Sequence, residues 1–83
     1  MENKVFVQLY IPELESNYDI YLPISRRIGN IIQLLVKAVN DFGINYELKP
    51  NISLYNRETG ERYSMNQILY ETNIRSGSQL VLL

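Results

Sequence analysis

The chain has 83 residues, 46% of them hydrophobic, with eight basic side chains against nine acidic ones and a net charge of −1. That length holds one domain, residues 1–83, with a core too small to spare many residues for a deep catalytic cavity. The complete lack of histidine and cysteine removes the commonest general base, imidazole and thiolate metal ligands, and disulfides.

No positive stripe suggests nucleic acid as a partner. No apolar run approaches the roughly 20 residues that span a bilayer, so direct membrane insertion is not expected. The start, "MENKVFVQLYIPE", has too short an apolar run and the wrong flanks for a signal peptide. The reading is a cytoplasmic domain without cofactor or metal.

The first element is "KVFVQLYI", Lys4–Ile11, rich in β-branched and aromatic residues and therefore a strand. Alternation sets Val5, Val7, Leu9 and Ile11 on one face and Phe6, Gln8 and Tyr10 on the other. Pro12 ends it, "PELESN" is a polar connection, and "YDIYLP" (18–23) is a second strand forming a hairpin with the first. There, Ile20 and Leu22 point inward and Asp19 and Tyr21 outward. "SRRIGNIIQLLVKAVNDFG" (25–43) is an amphipathic helix. Its apolar face carries Ile28, Ile31, Ile32, Leu35, Ala38, Val39 and Phe42. Ser25 or the residues just after it start the helix, and Gly43 ends it in the left-handed conformation. Leu34 and Val36 on its flank form a weaker second surface.

"INYELKPN" is a loop, and "ISLYN" (52–56) is a short strand with Ile52 and Leu54 inward. "NRETGER" turns at Gly60, and Arg62 and Tyr63 begin a brief return strand. Ser64 and Gln67 have capping-box spacing, which predicts a helical turn over 64–69. Ile74 drops into the core, and "QLVLL" is the last strand, with Leu80 and Leu82 inward. One helix must cover one face of one sheet. The most apolar strands, first and last, are expected side by side, parallel and central.

The order of elements and the closing pattern Leu69, Asn73-Ile74, Gly77, Leu80, Leu82 resemble the ubiquitin-like β-grasp fold. This is an α+β fold with a mixed sheet of four to five strands and one helix on one face. "YDIYLPISRRIGNIIQLLVKAV" and the terminus "IRSGSQLVLL" are similar to the YukD/EsaB family of bacterial ubiquitin-like proteins. Members are encoded with type VII (WXG100-type) secretion systems of Gram-positive bacteria. The resemblance implies a cytoplasmic accessory component, peripheral to the membrane through a protein partner. That partner would be the cytoplasmic part of a type VII membrane component. A generic ubiquitin-fold adaptor is the alternative. Sulfur carriers and protein modifiers of this fold use a flexible Gly-Gly tail. Here the last residue is Leu83 and the nearest glycine, Gly77, precedes the final strand, so covalent transfer is not expected.

Among candidate sites, the carboxylate pairs Glu13/Glu15 and Glu58/Glu61 fall in turns and lack the unlike environments acid–base chemistry needs. Arg26 and Arg27 read as solvated, and Ser25 and Ser64 as helix caps with no base to activate them. "RETGER" has neither the lysine nor the spacing of a phosphate loop. What remains is the sheet face that the helix leaves bare. Alternation projects Phe6, Tyr10, Tyr21, Tyr55, Val81 and Leu83 onto it. Contiguous apolar and tyrosine-rich surface marks a protein interface, and it could equally pair two copies of the chain. Ubiquitin uses the corresponding face for non-covalent recognition, and the resemblance implies the same here.

Overall fold

A computed structural model describes residues 3–83; Met1 and Glu2, where the N-terminal segment begins, lie outside the described residues. Four strands and one helix follow the predicted order: β1 (Lys4–Ile11), β2 (Ser16–Pro23), α1 (Ile28–Asp41), β3 (Leu54–Asn56) and β4 (Gln79–Leu82). The sheet runs β2-β1-β4-β3, with β1 and β4 central and parallel and the outer pairs antiparallel. The fold is α+β, as the element order requires.

Burial follows the pleat. Val7, Leu9, Ile11, Leu22, Leu54, Leu80 and Leu82 meet Ile28, Ile31, Ile32, Leu35 and Val39 of α1 in one apolar cluster. Each such side chain contributes about 1.5–3 kcal/mol on transfer from water. Ile52, Leu69 and Ile74 close the cluster from the loops.

The start of α1 differs from the expectation at Ser25. The helix begins at Ile28, and no side chain caps it. Its first N–H groups are satisfied by a distant segment instead. Ile28 N–H donates to Gln67 O at 2.9 Å and Gly29 N–H to Met65 O at 3.0 Å. A helix end needs acceptors, and backbone carbonyls serve as well as a serine hydroxyl. Those carbonyls belong to the stretch where the sequence predicts a helical turn over 64–69. The turn, a single one of 3-10 helix, lies at Leu69–Glu71. There the Glu71 carboxylate accepts from Ile68 N–H at 3.0 Å, so the reach-back residue is Glu71 rather than Gln67.

The far end of α1 brings two more corrections. Phe42 lies past the last turn and is 60% exposed, stacked on Tyr18 at 5.5 Å between ring centroids. Val36, expected on the flank, is only 8% exposed and belongs to the core. Gly43 has φ +91°, the left-handed stop expected of it. β2 begins two residues before the predicted start, after a turn of 3-10 helix at Pro12–Leu14. β3 begins two residues late, and the return strand is a single bridge between Tyr55 and Arg62.

The loop after α1 is fastened by Asn40. Its amide nitrogen donates to Val36 O at 2.9 Å and Tyr46 O at 2.7 Å, and its oxygen accepts from Tyr46 N–H at 2.9 Å. This clamp holds the Tyr46 ring in the core. Asn40→Ala is expected to destabilise the domain by about 1–2 kcal/mol in urea titration. It should also speed hydrogen exchange of the Tyr46 amide; unchanged exchange would mean the clamp is not what orders the loop.

Candidate protein-binding face

The register arranges the bare sheet face in cross-strand rows. Tyr21 lies opposite Phe6, with ring centroids 5.0 Å apart. Asp19, Gln8 and Gln79 form the next row. Asn17, Tyr10, Val81 and Tyr55 form the third. Leu83 follows on the same face of the β4 line. Its backbone pairs with Ser53 in both directions, at 2.9 and 3.0 Å.

All six predicted residues therefore share this side, but they do not form one patch. The polar Asp19–Gln8–Gln79 row separates Phe6 and Tyr21 from Tyr10, Val81 and Tyr55. The two ends are also unequally open. Tyr21 is 65% exposed and Leu83 60%, while Phe6, Tyr10, Tyr55 and Val81 are half-buried.

Part of that half-burial has an owner that the sequence reading left in a turn. Arg57 continues the alternation from Tyr55 onto the same face, and its side chain reaches back across the sheet. Its guanidinium carbon lies 4.6 Å from the Tyr10 ring centroid, and Nη1 donates to Asn17 Oδ1 at 3.2 Å. Such a cation over an aromatic face contributes about 0.5–1 kcal/mol when exposed. Arg62 anchors the β3 side, donating from Nε to Ser53 Oγ at 3.1 Å. The face thus combines tyrosine rings with arginine, the residue types that dominate binding energy at interfaces. The signal for Arg57 was present in the sequence: period-two counting from Tyr55 arrives at it.

Two buried tyrosines set the titration behaviour. The Tyr63 hydroxyl donates to Asn73 Oδ1 at 2.7 Å and accepts from Asn56 Nδ2 at 3.2 Å. Burial raises its pKa above the ordinary 10.0; the Glu61 charge adds to this and the Asn56 bond opposes it. Burial likewise raises Tyr46, helped by the charge of Glu13 and opposed by Lys49. Lys49 is raised by its hydrogen bond to Glu13.

In all three groups the native state holds its proton more tightly than the unfolded chain. The resulting stability is complete below the unfolded values and lost as pH rises through the native ones. The urea midpoint is expected to fall above about pH 10. Tyr63→Phe should flatten part of that fall. A variant curve parallel to the wild type would show that the Tyr63 phenol is not responsible.

No metal-sized cluster of acidic residues occurs among the described residues, and none of their helices is long and apolar enough to cross a membrane.

Comparison with known proteins places this architecture. No protein-family model matches the chain, and no curated protein sequence matches it. Solved structures do match. The EccD5 ubiquitin-like domain from Mycobacterium xenopi is similar over 99% of this chain and 94% of its own, with a TM-score of 0.78 and 18% identity. A chain from a study of SUMO mimicry in DNA repair is similar over 100% of this chain and 94% of its own, with a TM-score of 0.75 and 13% identity. A chain of the MycP5-free ESX-5 inner membrane complex is similar over 99% of this chain but only 21% of its own length, with a TM-score of 0.70 and 12% identity. The protein has a ubiquitin-like β-grasp fold.

Proposed function

We propose that the chain is a non-enzymatic protein-binding module of the YukD/EsaB kind, a cytoplasmic accessory component of a type VII secretion system. It works by contact rather than covalent attachment. The observation that carries this reading is the row Tyr10, Val81, Tyr55 with Arg57 laid over it. The row supplies rigid aromatic area and a forked donor, with few rotamers to freeze on binding. A sequence without histidine or cysteine supports binding over catalysis. The likeness to the EccD5 domain and to a chain of the ESX-5 inner membrane complex supports the setting.

The test is a titration of the isotope-labelled protein with the cytoplasmic domains of type VII membrane subunits from the same cell. Amide shifts are expected at Tyr10, Tyr55, Arg57 and Val81. Absence of binding would leave an adaptor of this fold unrelated to secretion, and shifts confined to other surfaces would remove the sheet face from its role. Intact mass measured from cells tests attachment: an adduct would overturn action by contact alone.

A further inference from the structure

The segment between α1 and β3 contains no helix or strand, yet both its ends are fastened. Asn40 clamps it at Tyr46, and Ile52 N–H donates to Lys49 O at 3.3 Å, next to the Ser53–Leu83 pairing. Between this segment, the β1–β2 turn and the end of β4 lies a cavity of about 430 Å³. That volume is in the range of small-molecule sites. Pro50, Ile52 and Leu83 line it with apolar surface, and Glu13, Lys49 and Tyr46 supply its polar groups.

Tyr46 is 5% exposed. Its backbone bonds to Asn40, but its hydroxyl has no hydrogen-bond partner among the described residues. No fully enclosed side-chain nitrogen or oxygen among them lacks a partner. The hydroxyl is therefore the part of the ring that reaches the surface, and it opens into the cavity that Tyr46 lines. A buried phenol normally bonds through its O–H; this one is met by no group of the described chain.

The mouth of the cavity is charged. Glu13 and Lys49 are bonded to each other, with both side chains about half-exposed. Burial raises the Tyr46 pKa, the Glu13 charge adds to this and Lys49 opposes it, so the phenol lies within reach of both charges. Glu47 also acts on Lys49, after the Glu13 hydrogen bond, which sets two acids around one base. A simple anion would be repelled by the acids and a simple cation by Lys49. A zwitterion offers each member of the pair its opposite charge, and an exposed ion pair is held weakly enough to open for it.

We propose that this cavity binds a free α-amino acid with a branched aliphatic side chain the size of leucine. Its ammonium group meets Glu13. Its carboxylate pairs with Lys49 and accepts a hydrogen bond from the Tyr46 hydroxyl. Its side chain lies on Pro50, Ile52 and Leu83, whose walls are aliphatic. The bound molecule ties the β1–β2 turn to the segment after α1. Of the six residues of the candidate protein-binding face only Leu83 lines this cavity, and the site does not depend on that face.

The probe is L-leucine, titrated into the isotope-labelled full chain. Saturable shifts are expected at the amides of Glu13, Tyr46, Lys49 and Ile52, with Tyr10, Tyr55 and Val81 unmoved. A Kd of about 1 mM is the scale for so small a ligand. N-acetyl-leucine lacks the ammonium group and leucinamide the carboxylate, and each should bind about tenfold more weakly. Tyr46→Phe removes only the unpartnered hydroxyl, should fold as the parent does, and should weaken leucine by about tenfold. Lys49→Glu should reverse the order and favour leucinamide over leucine. Shifts that do not saturate, N-acetyl-leucine binding as well as leucine, or unchanged leucine affinity in either variant would overturn the proposal. Leucinamide binding the parent as well as leucine would also overturn it, by assigning the cavity to a peptide N-terminus. Arg57→Ala should leave leucine binding intact, so this site and the sheet face can fail separately.

Discussion

Leu80→Ala is expected to destabilise the domain by about 2–5 kcal/mol and to lower its thermal midpoint by at least about 10 °C. Leu80 is fully buried on a central strand, level with Leu9 on one side and Asn56 on the other. Neighbours on both sides are fixed by ladder bonds, so they cannot collapse into the space a missing isobutyl group leaves. A domain of this length has a total stability of roughly 4–12 kcal/mol, so the loss takes a large share of it. The control is Leu83→Ala. That side chain is 60% exposed, and the change should stay within about 0.5 kcal/mol. Urea denaturation of both variants checks the pair. A cost under about 1 kcal/mol at Leu80 would mean the helix-facing side of the sheet has been misassigned.

Arg57→Ala is expected to weaken partner binding by about thirtyfold or more, the scale of an interface hot spot of 2 kcal/mol. Folding should lose no more than about 1 kcal/mol, because the arginine contributes one exposed ring contact and one hydrogen bond to Asn17. Arg57→Lys keeps the charge but loses the planar fork and should recover only part of the affinity. Calorimetric titration beside urea denaturation separates the two quantities. Undiminished binding by Arg57→Ala would take the Tyr10–Val81–Tyr55 row out of the interface. Val81 is a poorer test residue: it is half-buried between Tyr10 and Tyr55, so a charge there would disturb the sheet itself.

The strands and helix could be read in advance where one period governed a long stretch. β1 alternates over its whole length, and α1 repeats its apolar residues over 14 residues. Both are dictated by local geometry. The misreadings occur where a remote segment decides. Ser25 has capping chemistry, but carbonyls of Met65 and Gln67 occupy the place where it would act. Phe42 fits the apolar arc, yet the helix has ended before it and its ring turns to Tyr18. Val36 lies at the margin of that arc and is buried with the core. Tyr46 looks like a loop residue until Asn40 is seen holding it.

The candidate face was legible as a set of outward side chains, because the pleat fixes direction. Its division was not. That depends on Gln8 standing level with both Asp19 and Gln79, which only the register reveals. Arg57 was overlooked for a related reason: it stands in the turn just past β3, and that its side chain folds back over Tyr10 shows only in three dimensions.

Phe6 and Ser76, 70 positions apart, are bonded where β1 meets the approach to β4. The β1–β2 hairpin and the helix can organise from neighbouring residues, but the middle of the sheet must wait for a long-range closure, which slows folding. During synthesis on the ribosome, β1 therefore sits with a raw flank until β4 emerges. A transcript interrupted before that point would yield an adhesive fragment, prone to clumping and a natural client for chaperones.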